Sequence, residues 1–155
     1  MATVQTTAVI AGVRPDANCP AGVVLSRSGL FTLAASDGDA TALASGDIIE
    51  MVPVPKGAQI IDIMLEWTDL DSSSGPTMDV GDGDATNGYL DGLDITAAGK
   101  ATLTAGTFVA YSIGKEYTAA DTIDCIICDH SPDASSGTIK MVVLYKVEGA
   151  IDDET

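Results

Sequence analysis

Basic side chains are scarce in this chain: Lys and Arg number 7 against 23 Asp and Glu, giving a formal charge of −16. Binding a nucleic-acid backbone needs clustered cations, so nucleic acid is not an expected partner. An anionic membrane surface is disfavoured on the same ground. Aromatics make up only 5% of the residues, so Val, Ile, Leu, Met and Ala must fill the core. Cysteine occurs 3 times and histidine once, which leaves little for metal or redox chemistry. No apolar run approaches the length of a membrane-crossing helix. The first residues, Met1-Ala2-Thr3-Val4-Gln5-Thr6, carry no basic stretch followed by an apolar one, so no signal peptide is expected. Synthesis and folding in a cytoplasm follow from that reading.

Hydrophobic residues, by contrast, make up 46% of the chain, which excludes a disordered polymer. The 155 residues fit one domain with a core that needs no staples. Strong net charge suits a soluble protein that must resist aggregation at high local concentration. A saline habitat would favour the same composition.

The chain is organised around residues 55–94. Pro55-Lys56-Gly57 reads as a turn. The run from Gln59 to Thr68 then reads as a long strand. Strict alternation puts Ile61, Ile63, Leu65 and Trp67 on one face and Ile60, Asp62, Met64 and Glu66 on the other. A short strand from Thr77 follows and runs into a loop rich in Asp and Gly.

Before this stretch, residues 1–21 are small, polar and broken by Pro15 and Pro20. They read as an arm, with a loose first strand over residues 3–9. Residues 22–35 read as two short strands interrupted at Ser28-Gly29. Ser36-Asp37-Gly38-Asp39 is a turn cluster. Ile48-Ile49-Glu50-Met51-Val52 is a strand ended by Pro53 and Pro55, which cannot donate to a ladder.

After it, residues 91–104 are small and polar, and Ile95 to Lys100 fits a helical turn or a loop. Residues 108–113 form a candidate strand, and residues 114–121 a polar crossing segment. The clearest hairpin joins residues 122–128 to 138–147 through a loop containing His130. On its return strand Ile139, Met141, Val143, Tyr145 and Val147 share a face. The domain reading is therefore an arm at 1–21, a β domain at 22–147 and an acidic tail at 148–155. About eight strands with Gly/Pro/Asp/Ser turns and no amphipathic helix give an all-β fold, an antiparallel β-sandwich or jelly roll.

Candidate chemistry is sparse. Cys125-Ile126-Ile127-Cys128 has the spacing of a redox or zinc pair. In a strand, residues three apart point to opposite faces, so two small buried hydrophobes are the better reading. Cys19 cannot complete a four-ligand site. His130 lacks the nucleophile and orienting acid that a general base requires. The loop after Thr77 offers Asp79, Asp82 and Asp84 as candidate calcium ligands, since calcium favours oxygen-rich loops. The EF-hand pattern fails there, with Thr86, Asn87 and Leu93 where Asp, Gly and Glu should stand. Gly81, Gly83 and Gly88 are read instead as supplying turn geometry. Two carboxylates facing a cleft would suit glycoside hydrolysis, but 23 acids make any such pair uninformative. No glycine loop suits a phosphate, because Gly81-Asp82-Gly83-Asp84 is acidic. No catalytic residue, cofactor or obligatory metal is expected.

The string Val54-Pro55-Lys56-Gly57-Ala58-Gln59-Ile60-Ile61-Asp62 resembles the head decoration (cement) proteins and related virion proteins of tailed bacteriophages. So do Asp69-Leu70-Asp71, Asp79 to Asp84, Tyr89-Leu90-Asp91-Gly92, Tyr117 to Ile123 and the closing Leu144-Tyr145. The pattern covers about residues 46–147 and is not a catalytic signature. It implies a small β-sandwich or jelly roll on the outer face of an icosahedral shell, binding major capsid protein subunits and itself as a dimer or trimer. A receptor- or carbohydrate-binding module of a phage tail or fibre is the alternative, for which exposed aromatics would be expected.

Overall fold

The computed structural model describes residues 3–5, 23–33, 43–70, 75–105, 111, 113–128 and 136–147. Nine strands lie among them: β1 (Thr3–Gln5), β2 (Val24–Leu33), β3 (Ile48–Val54), β4 (Ala58–Trp67), β5 (Thr77–Gly81), β6 (Leu90–Asp94), β7 (Gly99–Thr102), β8 (Asp121–Cys128) and β9 (Gly137–Val147). They form two sheets, ordered β1-β3-β8-β5-β6 and β2-β9-β4-β7. Every pairing is antiparallel except β1 on β3. The all-β sandwich read from the sequence is the observed architecture. No helix among the described residues is long and apolar enough to cross a membrane.

One apolar core lies between the sheets. Ile49, Val54, Met78, Val80, Ile123, Cys125 and Ile127 come from the first, and Phe31, Ile63, Leu65, Ile139, Met141, Val143 and Tyr145 from the second. Ile139, Met141, Val143 and Tyr145 are all buried on one face of β9, as alternation requires, while Val147 is half-buried.

Several local expectations are corrected. β8 and β9 are not a hairpin: β8 bonds to β3 and β5, and β9 to β2 and β4, in the other sheet. Both strands are apolar on one face, and both faces are satisfied by the shared core between them. The connection is also longer than most hairpin loops, which run about 2 to 5 residues. His130 lies in that connection, outside the described residues.

Strand β2 is continuous through Ser28-Gly29, pairing residue by residue with β9 from Val24 to Leu33. Strand β3 runs on through Pro53, which pairs with Thr122. Among the described residues β1 pairs only with Ile48 to Glu50 of β3, so Pro53 lies beyond that pairing, towards the edge of the sheet, a position proline tolerates.

In β4 the register against β9 shifts between Ile60 and Asp62. That bulge breaks the alternation: Ala58 and Ile60 are buried with Ile63, Leu65 and Trp67, while Ile61 is only half-buried. Residues 91–104, read as small and polar with a helical turn or a loop from Ile95 to Lys100, hold the edge strand β7 and all but the first residue of the edge strand β6. The candidate strand at 108–113 falls mostly outside the described residues, and Tyr111 itself is in no strand. The turn cluster at 36–39, Cys19 and the tail at 148–155 also lie outside them, as does the arm apart from β1.

Candidate functional site around Asp82

The acidic loop starts where β5 ends. Gly81 there admits no side chain, since a Cβ would come within 2.0 Å of the Ala85 carbonyl oxygen. The chain therefore folds tightly back on itself. Asp82 Oδ1 accepts the backbone N–H groups of Asp84 (3.0 Å) and Ala85 (3.1 Å), a local turn closed by an Asp side chain. Asp82 is buried, only 2% exposed.

The segment after Tyr111 brings the partners. Tyr111 N–H donates to the Gly88 carbonyl at 2.7 Å. Residues 114–117 then run along the start of β4, with Gly114 N–H on Ile60 O, Ile60 N–H on Lys115 O and Tyr117 N–H on Ala58 O. This alignment points Lys115 and Tyr117 at Asp82. The Tyr117 hydroxyl donates to Asp82 Oδ2 at 2.7 Å, the Tyr111 hydroxyl to Oδ1 at 2.8 Å, and Lys115 Nζ to Oδ2. Because Tyr117 spends its proton on Asp82, Tyr89 donates in the 2.9 Å contact between their hydroxyls.

The rings complete a cage. Tyr89 and Tyr111 meet edge to face, centroids 5.0 Å apart. Lys115 Nζ stands 3.6 Å from the Tyr111 centroid and 4.8 Å from that of Tyr117, within cation–π reach of both. Gly88 lies under Tyr111, where a Cβ would be 2.2 Å from the ring. Gly81 and Gly88 thus serve close approach; positive φ is found at Gly46, Gly57, Gly75, Gly92 and Gly114 instead.

The electrostatics follow from these contacts. Burial opposes the charge on Asp82, but donors from Lys115, Tyr117, Tyr111 and Ala85 outweigh it and hold the carboxyl below its usual value. Burial likewise opposes the charge on Lys115, yet Asp82 and Tyr111 raise its pKa. Burial pushes Tyr89 and Tyr117 above the ordinary phenol range. A protonated Lys115 is no nucleophile, and a carboxylate with five donors is no general base. The arrangement clamps the loop after β5 to the segment before β8.

The three calcium candidates are not brought together. Asp82 is consumed by the cage. Asp79 braces the β5–β6 pair, its Oδ1 accepting Gly92 N–H at 2.8 Å and its Oδ2 the Cys128 thiol at 3.3 Å. Asp84 is exposed, and its 3.7 Å ion pair with Lys115 lies at the surface, where such pairs contribute little. Among the described residues no three of His, Cys, Asp and Glu are grouped to hold a metal ion. Cys125 is fully buried, and burial raises its thiol pKa, as expected of a small core residue. Cys128 lies half-buried towards the opposite face.

Sequence reading missed the cage because its parts lie up to 35 residues apart along the chain. Residues 114–121 read from composition as a polar crossing segment, whereas Tyr117 is buried. One signal was present: tyrosine occurs only 4 times, and three of the four flank the acidic loop and Lys115.

No protein-family model matches this sequence, and no curated protein is significantly similar to it. Solved structures share its fold. A chain in the capsid of Ralstonia phage GP4 is 24% identical, with a TM-score of 0.72, covering 96% of this chain and 99% of that one. A chain of the cyanophage Pam1 capsid asymmetric unit is 18% identical, with a TM-score of 0.63, covering 88% and 95%. A chain of the acidic stable capsid structure of Helicobacter pylori bacteriophage KHP30 is 16% identical, with a TM-score of 0.56, covering 84% and 92%. At these identities the likeness is one of fold, and it extends over nearly the whole of each chain.

Proposed function

We propose that this chain is a structural protein of a phage virion, a decoration (cement) protein that binds the outer surface of the icosahedral head. There it stabilises contacts between major capsid protein subunits. The observation that carries this reading is the fold shared over 96% of the chain, and 99% of its counterpart, with a component of the Ralstonia phage GP4 capsid. Two further phage capsids contain chains of the same fold. The geometry around Asp82 supports a non-enzymatic role, because its charged groups are spent on one another.

Such a protein acts by burying surface on two or more shell subunits at once, and linked contacts raise effective affinity steeply. Closed two- or three-fold association would match the axes of an icosahedral lattice. The arm at residues 1–21 would add a contact, and its β1 already pairs as an extra strand on the edge of β3. The tail-module alternative wants an exposed aromatic. Trp67 is instead buried, its indole N–H donating to the Ala97 carbonyl at 3.1 Å.

Cosedimentation with shells of its own virus, prepared without this protein, tests the proposal. Saturable binding is expected, and undecorated particles should break at lower temperature than decorated ones. A clean monomer that ignores such shells would overturn the reading and favour the tail module.

A further inference from the structure

The two outward faces of the sandwich differ in chemistry. On the β1-β3-β8-β5-β6 sheet, Glu50 and Asp124 stand side by side, with Asp79 in the next row. The outward face of the β2-β9-β4-β7 sheet is built from rows fixed by register. One reads Leu30, Lys140, Glu66, Lys100, and the next Ser28, Val142, Met64, Thr102. A further row places Val24 beside Lys146.

Two properties set this face apart. The chain has 7 basic residues against 23 acidic ones, yet Lys100, Lys140 and Lys146 all stand in the rows of this face, with Glu66 between Lys140 and Lys100 and Asp91 at the edge of the groove. The large apolar side chains left exposed also gather on it: Leu30 is 57% exposed, Val24 55% and Met64 38%, with Val23 at its margin and only Ile113 elsewhere among the described residues. Exposed apolar groups concentrated on one face mark an interaction surface, whereas scattered ones need no explanation. Ser26, Ser28 and Thr102 keep the surface low between them. A groove of about 860 Å³, lined by Met64, Glu66, Lys100, Lys140, Val142 and Leu93, continues it to the β6–β7 side.

We infer that the outward face of the β2-β9-β4-β7 sheet is the surface this protein lays against the shell, and that it fits a protein partner with an apolar centre framed by carboxylates. The inference rests on the decoration reading above. Charge complementarity selects the occupant. An acidic chain can press this face onto a partner without burying uncompensated carboxylates, and Lys100 and Lys140 would meet acids on the other side. A second copy laid face to face fits less well. It would set lysines near lysines and bring two strongly acidic bodies together.

The test is cosedimentation with undecorated shells of its own virus. The chain carries Met64→Gln with Lys140→Glu on the face, or Lys56→Glu in the exposed turn before β4 as a charge-matched control. Both variants should melt close to the parent, because all three side chains are exposed. The face variant should bind at least about tenfold more weakly, as when anchors at the centre of an interface are lost, and the control should bind like the parent. On shells, Lys100 and Lys140 should resist acetylation while Lys56 reacts. A face variant that binds like the parent, with Lys100 and Lys140 of the shell-bound parent still reactive, overturns the assignment of the face and leaves the decoration reading intact. A face variant that loses self-association instead, seen by sedimentation, overturns it in favour of a second copy. If the parent itself fails to bind shells, both readings fall.

Discussion

Gly29 of β2 lies directly beneath the backbone carbonyl of Met51 in β3, so close that a Cβ on Gly29 would stand 2.1 Å from that oxygen. The two residues belong to different sheets. Met51 sits at the bulge where the β3–β8 register shifts between Glu50 and Val52. The sheets therefore touch backbone to backbone along this side, whereas the opposite side, between β6 and β7, carries the open groove.

Gly29→Ala should accordingly destabilise the fold. No positive φ is needed at this position, so the cost is steric alone: the bulge carbonyl must retreat. Overpacking of this kind costs about 2 kcal/mol, which lowers the melting temperature by roughly 4 to 8 °C in a chain of this size. Ser28→Ala, on the outward face, serves as the control and should melt like the parent. Equal melting of Gly29→Ala and the parent would show that the sheets have slack there.

The same glycine shows how much of this fold the sequence makes legible. Alternation identified most strands and the buried face of β9, because period-2 burial is local and depends on a few neighbours. Ser28-Gly29 read as a break, since a glycine's closeness to a backbone from another sheet leaves no local mark. The bulge at Ile61 puts Ile60 on the buried face with Ile63, Leu65 and Trp67, because one extra residue changes the phase of the side chains before it relative to those after it. The edge strands β6 and β7 were missed for lack of apolar residues; an edge strand buries little. For the site, the sequence marks Asp82 as a carboxylate of the acidic turn and a candidate calcium ligand, and leaves its partners unmarked. Its partners Tyr111, Lys115 and Tyr117 come from a segment whose placement depends on the whole fold.

Removing one member of the Asp82 cage should be costly. Asp82→Asn would leave Lys115 charged and largely enclosed by tyrosine rings, with its side chain only 16% exposed. Breaking a buried pair from one side costs about 3 kcal/mol. Asp82→Asn should also lose the parent's acid sensitivity from this group. A depressed carboxyl stabilises the fold above its unfolded pKa of about 3.9, and that gain is lost as pH falls through the lower folded value. Melting curves between neutral pH and about pH 3 check this. A variant as stable as the parent at neutral pH would remove the clamp from the account.

Chelation should leave stability unchanged. Asp82 is occupied by five donors, Asp79 by Gly92 and the Cys128 thiol, and Asp84 points outward. Stabilisation by a ligand scales with occupancy and vanishes where nothing binds. The melting temperature should move by less than about 2 °C on adding chelator, within the effect of a fraction of a kcal/mol. A fall of roughly ten degrees reversed by calcium would instead reveal a structural ion.

The last prediction concerns Asp124, which is buried in the middle of β8 with Oδ1 lacking a hydrogen-bond partner. Glu50 lies directly opposite on β3, itself bonded by the Gln5 amide of β1 at 2.6 Å. On the β5 side stands Gly81, which offers no side chain. Burial, with Glu50, Asp121 and Asp82 as further negative neighbours, pushes the Asp124 carboxyl up to about 7, against one favourable bond to Thr122. The unfolded chain ionises this group near pH 3.9. Below that pH both states are protonated and the group is neutral in its effect. Between about pH 4 and pH 7 the unfolded state loses the proton that the folded state keeps, so stability declines as pH rises. Above pH 7 the loss is complete, of order 2 to 4 kcal/mol from the displacement of the pKa. Asp124→Asn carries no such charge. It should match the parent near pH 4 and exceed it at pH 8, with a difference that grows across that interval. Chemical denaturation at pH 4, 5, 6, 7 and 8 measures it. A difference that stays constant over the series would mean that Asp124 ionises in the fold as easily as in the open chain.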